Sequence, residues 1–124
     1  MPRSILPEDR IHTPIRAVIE NNHRDIVREV EAAIAENEIV VVGMAQNPFP
    51  WRARRTLTKA GIAHCYLQYG SYLSQWRRRN ALKMWTGWPT FPMVFVKGVL
   101  VGGAAELTAL IENGGLRRLL GTAR

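Results

Sequence analysis

Thiol chemistry is the first thing this sequence has little of. Cys65 is the only cysteine in 124 residues, so no intramolecular disulfide can form. The histidines His12, His23 and His64 are scattered and make no metal-ligand spacing with it, so metal and zinc sites are set aside. Long apolar runs are missing as well. No stretch approaches the ~18–20 apolar residues of a membrane span, and the opening Met-Pro-Arg-Ser has no apolar signal core. A cytoplasmic protein with no membrane partner is the expectation. Acidic residues are scarce: 10 Asp and Glu stand against 17 Lys and Arg, a formal charge of +7. With a pI near 10.5, the chain should favour anionic partners, whether nucleic acid, an acidic protein or a small carboxylate ligand.

What is present suffices for one domain. A chain of 124 residues with 47% hydrophobic content can bury a core without disulfide staples, and it shows no repeats or low-complexity tracts. Residues 1–14 carry Pro2, Pro7 and Pro14 among charges and read as an irregular arm. Ile15, Val18 and Ile19 suit one helical turn or two before Asn21-Asn22. From Arg24, Ile26, Val27, Val30, Ala33 and Ile34 recur at helical spacing until Asn37. Ile39 to Val42 is a fully apolar strand, expected to be central and parallel. After a loop, Pro50 suits the first turn of a helix running to about Ala60, with Gly61 as its stop. Ile62 to Leu67 reads as a strand, Gln68 to Tyr72 as a loop, and Leu73 to Trp85 as a third helix ending at Thr86-Gly87.

Met93 to Val96 is a buried-strand run, Lys97-Gly98 punctuates it, and Val99 to Val101 completes a β-hairpin. Gly102-Gly103 then leads into Ala104-Ala105-Glu106-Leu107 and a last helix, Glu106 to Asn113. Leu116, Leu119 and Leu120 suggest a final helical turn after Gly114-Gly115. The order α-β-α-β-α-β-β-α predicts an α/β fold: a four-stranded mixed sheet with helices on both faces, because the two early strands need a crossover helix. Pro92, just before a strand, lacks a ladder N–H and is a candidate for the cis isomer.

The run Trp88-Pro89-Thr90-Phe91-Pro92, four strand residues, Lys97-Gly98 and Val101-Gly102-Gly103 resembles the second half of a glutaredoxin, in its monothiol, WP-containing branch. A lone Gly-Gly or Trp-Pro would be weak; the whole run in order is specific. The resemblance covers residues 24 to 120, which implies an N-terminal arm (residues 1–23) and a glutaredoxin-like domain of thioredoxin-like fold (residues 24–124). In that family the loop after the first strand carries Cys-Pro-Tyr/Phe-Cys or Cys-Gly-Phe-Ser, at a helix N-terminus that favours the attacking thiolate. Laid on this sequence, the motif falls at Asn47-Pro48-Phe49-Pro50, with Asn47 and Pro50 at the two cysteine positions. An amide cannot attack a disulfide, form a mixed disulfide, or ligate an iron–sulfur cluster through sulfur. No catalytic residue is therefore assigned and no cluster is expected. Cys65 reads as a core thiol, and His64 beside it points to the other strand face and is no ready-made base.

The resemblance implies what a glutathione pocket would use. Arg79 and Lys83, four apart on one helix face, match positions beside the glycine carboxylate of glutathione; a solvated basic face is the alternative. Thr90, Phe91 and Pro92 match the cis-proline segment that takes the cysteinyl unit by strand-like addition. The N–H groups of Gly103 and Ala104 match the cradle of the γ-glutamyl carboxylate, though a tight turn alone would also call for these small residues. Trp51 and Trp88 either flank the pocket or simply pack. Against these stand Met44 in place of a lysine, Asn47 in place of cysteine and Ala105 in place of an aspartate. Charge-assisted hydrogen bonds contribute ~1.5–3 kcal/mol each, so glutathione should bind weakly. The leading expectation is a glutaredoxin-like protein without the redox cysteine, a binding module for an unidentified protein partner with a residual glutathione pocket. The alternatives are an active glutathione-dependent oxidoreductase or iron–sulfur carrier. A nucleic-acid-binding module, prompted by Arg52, Arg54, Arg55, Lys59 and Arg77 to Arg79, is less favoured because no nucleic-acid motif accompanies the charge.

Overall fold

The apolar run at Ile39 becomes strand β1 (Ile39–Gly43), every residue of which is buried. Its side chains alternate, Val40 and Val42 facing one layer and Ile39 and Val41 the other. Strand β2 (Cys65–Gln68) lies parallel to it, with Val40 opposite Cys65 and Gly43 opposite Gln68. On its other side β3 (Met93–Val96) runs antiparallel, with Ile39 opposite Val96 and Val42 opposite Met93. Strand β4 (Val99–Gly102) completes a mixed sheet of order β2-β1-β3-β4. Lys97 and Gly98 both take positive φ, 49° and 80°, as a two-residue hairpin turn of matching twist requires. The structure is a computed structural model and describes residues 3–71 and 73–121. Tyr72 at the end of the expected loop, Pro2 of the expected arm, and residues 122–124 lie outside the described residues.

Helices cover both faces, as the element order predicts. On one face α2 (Arg24–Glu36) brings Ile26 and Val30, and α4 (Trp76–Thr86) brings Ala81 and Leu82, onto Val40, Val42, Met93 and Phe95. On the other, α3 (Pro48–Lys59), α5 (Ala104–Glu112) and α6 (Gly115–Leu119) bring Ala53, Leu57, Leu107 and Leu116 onto Ile39, Val41, Val94 and Val96. Each fully buried aliphatic side chain of this kind stabilises by about 1.5–3 kcal/mol relative to exposure. No described helix is long and apolar enough to cross a membrane.

Several boundaries differ from the sequence expectation, each for a local reason. The arm holds a 3-10 turn at Glu8–Arg10 and a nine-residue helix α1 (Thr13–Asn21). Pro14 sits in the first turn of α1, where its fixed φ suits a helix start. Helix α3 begins at Pro48, two residues before Pro50, because Asn47 caps it. Strand β2 begins at Cys65 because the Ile62 N–H is taken by Leu57 O at 2.9 Å, closing the end of α3. Helix α4 begins at Trp76, not Leu73: Ser71 Oγ accepts from the Leu73 N–H at 3.2 Å and Ser74 Oγ from the Ser71 N–H at 3.1 Å. Serine side chains that bond nearby backbone hold a turn in place of helix.

A polar cluster fastens α4 to α2. The Arg78 guanidinium meets Asp25 at 3.0 Å and Glu29 at 3.3 Å, and the Tyr69 hydroxyl donates to Glu29 at 3.0 Å. Burial, then the Glu29 hydrogen bond and charge, push the Tyr69 phenol well above its ordinary 10.0. A group whose proton is held more tightly in the folded state stabilises fully below its unfolded pKa and loses that contribution as pH rises beyond it. Thermal unfolding should therefore show stability falling as pH rises past 10.0. Tyr69→Phe should cost about 1 kcal/mol near neutral pH and give a shallower alkaline decline, the phenol of Tyr66, also raised by burial, supplying the remainder.

Candidate functional site

The end of β1 runs directly under the start of α3. A Cβ on Gly43 would stand 2.6 Å from Pro50 Cβ and 3.0 Å from the Tyr66 hydroxyl, so only glycine lets the helix close over the strand. The loop is tied back by Ala45 N–H to Gly70 O at 2.7 Å and Tyr69 N–H to Gly43 O at 2.9 Å. Asn47 then caps α3: its Oδ1 accepts from the Phe49 N–H at 3.0 Å, satisfying one of the donors a helix start leaves open. Its Nδ2 reaches across to donate to Phe91 O at 3.5 Å. The peptide bond that follows, Phe91–Pro92, is cis.

The β1–β3 register carries Phe91 and Pro92 to this point, and β4 carries Gly103 to their other side. The result is a groove of about 270 Å³ lined by Phe49, by Thr90, Phe91 and Pro92, and by Gly103, Ala104, Ala105 and Glu106. Among the sequence-selected residues, Thr90, Phe91, Pro92, Gly103 and Ala104 are thus brought together, with Asn47 bonded to Phe91. Lys83 stands close by, its ammonium 5.8 Å from the Phe91 ring centre. Trp88 belongs here too, its indole Nε1 lying 3.7 Å from where a Gly103 Cβ would be. That N–H is buried without a hydrogen-bond partner among the described residues.

Arg79 departs from the expectation that paired it with Lys83. It is only 6% exposed, and its Nη1 donates to Tyr69 O at 3.0 Å and Ser74 O at 2.6 Å. Buried loop carbonyls need donors, and Arg79 supplies them from inside the fold; it is not among the groove walls. Met44, too, is core, packed with the α2 and α4 side chains. Trp51 is 55% exposed and lies beyond the groove, beside Arg54, Arg55, Lys59 and His64.

Two features escaped the sequence reading. Glu106 accepts the Gly103 N–H at 2.8 Å through Oε1, so a carboxylate of the chain itself holds the donor assigned to the γ-glutamyl carboxylate. A glutamate three residues after a helix N-cap is a readable signal for this bond. The double use of the Asn47 amide depends on a contact 44 residues away and has no local signature.

Cys65 lies elsewhere. It pairs with Val40 near the start of β1, whereas Asn47 follows the strand's far end, about 10 Å on at 3.3 Å per residue. Its side chain packs on the α2–α4 face, opposite α3. Among the described residues no three His, Cys, Asp or Glu side chains converge as a metal site. The donor at the α3 N-terminus is an amide, so an iron–sulfur cluster does not fit this position.

The glutaredoxin family model matches residues 39–101. A glutaredoxin-like protein of Dictyostelium discoideum is 45% identical over 98 residues, covering 79% of this chain and 80% of that one. A probable monothiol glutaredoxin 2 of Rickettsia prowazekii is 31% identical over 96 residues, covering 73% and 87%. The crystal structure of oxidized glutaredoxin 2 from Chlamydomonas reinhardtii superposes with a TM-score of 0.67 at 26% identity, covering 82% of this chain and 96% of that one. A family model that matches half of the chain, together with a relative 45% identical over 79% of it, places the chain in the glutaredoxin family.

Proposed function

We propose that this glutaredoxin-family chain is a non-catalytic binding module that keeps a weak glutathione pocket and serves an unidentified protein partner. The observation that carries the reading is Asn47: the residue at the α3 N-cap, beside Phe91, offers an amide where the family's exchange chemistry needs sulfur. Glutathione remains in the reading for two reasons. The groove between Pro92 and Gly103 is open, and Lys83, 5.8 Å from the Phe91 ring centre, brings a cation beside one of its lining residues. Binding is weak because the chain already uses what the ligand needs. Phe91 O receives Asn47, Gly103 N–H is held by Glu106, and Ala105 has no charge to offer the amine. The Glu106 carboxylate also repels any incoming carboxylate at the same spot. Monothiol chemistry, named for relatives such as that of Rickettsia prowazekii, is the second reading; it requires a thiol that could reach the groove, and Cys65 faces away from it.

Glutathione titrated against the protein by NMR should shift the amides of Phe91, Gly103 and Ala104 together, with a dissociation constant on the order of 1 mM or weaker. Silence at those positions would remove glutathione from the reading. A disulfide-reduction assay with glutathione supplies the second check. The native chain should show no turnover, whereas Asn47→Cys should acquire it, with a thiol pKa below the ordinary ~8.5 because it sits at a helix N-terminus. Turnover by the native chain that disappears in Cys65→Ser would overturn the non-catalytic reading.

A further inference from the structure

Helix α3 carries Arg52, Arg54, Arg55 and Lys59 and no acidic residue. Among the described residues none of these four takes part in an ion pair. Arg52, Arg55 and Lys59 are three and four apart, so they form one row along the exposed side of the helix, opposite the buried Ala53 and Leu57. The row begins at the groove. Arg52 lies 5.3 Å over the ring of Phe49, which is itself a groove wall. From Phe49 to Lys59 the helix rises ~15 Å, the reach of four or five residues of extended chain at ~3.3 Å each.

We propose that this face docks an extended acidic segment of a partner protein, with one apolar residue seated in the groove between Phe49 and Ala104 and the acidic residues beside it lying along Arg52, Arg55 and Lys59. The groove half of this rests on the groove being a ligand site, as argued above; the charged row stands without it. Two observations favour a peptide over a nucleic acid, whose single strands bind by stacking bases on free aromatic faces. Each aromatic ring here already holds one of the chain's own cations against a face: Arg52 on Phe49, Arg55 at 5.1 Å from Trp51 and Arg54 at 4.0 Å from Tyr66. The groove end of the row, with apolar walls and the Glu106 carboxylate, would repel a phosphate but accept an uncharged apolar side chain.

The probe is a fluorescein-labelled Leu-Glu-Glu-Glu-Glu peptide and its reverse, followed by anisotropy on the full chain at low salt. At least one should bind and be weakened by added salt. The charge reversal Arg52→Glu with Arg55→Glu should weaken it about tenfold. Leu→Gly in the peptide should weaken it severalfold, a peptide with Gln for Glu should not bind measurably, and NMR shifts should follow Phe49, Arg52, Arg55 and Lys59. The proposal is overturned if neither peptide binds, if the double reversal or Leu→Gly changes nothing, or if a thymidine oligonucleotide of equal charge binds as tightly. Glutathione binding is read at Gly103 and Ala104 and does not involve Arg52 or Arg55, so the two readings fail separately.

Discussion

The antiparallel ladder between β1 and β3 positions everything else in the molecule, because both strands are buried on both faces. In such a pair a slip of one residue would turn every side chain to the wrong layer. Ile39 and Val41 would leave α3 and α5, and Val40 and Val42 would leave α2 and α4. The register that satisfies both layers puts Val42 opposite Met93. It follows that whatever comes just after β1 lies beside whatever comes just before β3. Asn47 therefore faces Phe91 and Pro92 as a consequence of core packing, and the groove would persist whatever residue stood at position 47.

Around that junction the polar groups that irregular backbone leaves open are met by the chain's own side chains. Asn47 serves the Phe49 N–H and the Phe91 carbonyl, and Glu106 the Gly103 N–H; away from the groove, Arg79 serves two carbonyls of the loop before α4. The Asn47 and Glu106 bonds change what a ligand can gain. A bond made to a group already bonded inside the protein replaces one interaction with another, and the net of such exchanges is ~1 kcal/mol or less. The Trp88 indole N–H is different: it is buried with no partner among the described residues, an unmade bond inside the fold that a ligand could take up only if the side chain moved.

How much of this was readable depends on the range over which each feature is determined. The β3–β4 turn was legible, because Lys97-Gly98 between two apolar runs is a local signal with a local cause; the extension of β4 to Gly102 and the register shift between Val94 and Phe95 were not. Helices on both faces were legible from the fully apolar run Ile39 to Val42 and from the element order, whose two early strands need a crossover helix. The start of α4 was not, since Ser71 and Ser74 hold their turn by side-chain bonds that compete with helix over a few residues. Nor was the role of Arg79. Helical spacing places it on a face with Lys83, but the carbonyls it serves lie five and ten residues earlier and are brought to it only by folding. The Glu106 bond has a local signature, since its spacing from Gly103 is that of a capping pair.

The charge on α3 bears on what the site is for. Cations near a helix N-terminus could be understood as leftovers of thiolate stabilisation, and distance decides the point. At 1.5 Å per residue, Arg52 lies ~7.5 Å along the axis from Asn47, Arg55 ~12 Å and Lys59 ~18 Å, against a screening length of ~8 Å at physiological salt. Arg52 is close enough to act on a charge at position 47, but its guanidinium is turned onto Phe49 and that of Arg55 onto Trp51. Lys59 is beyond effective reach, and Arg55 and Lys59 are both exposed and outside any ion pair among the described residues. Their field is directed outward, and its natural counterpart is a negatively charged surface that comes to the helix from outside.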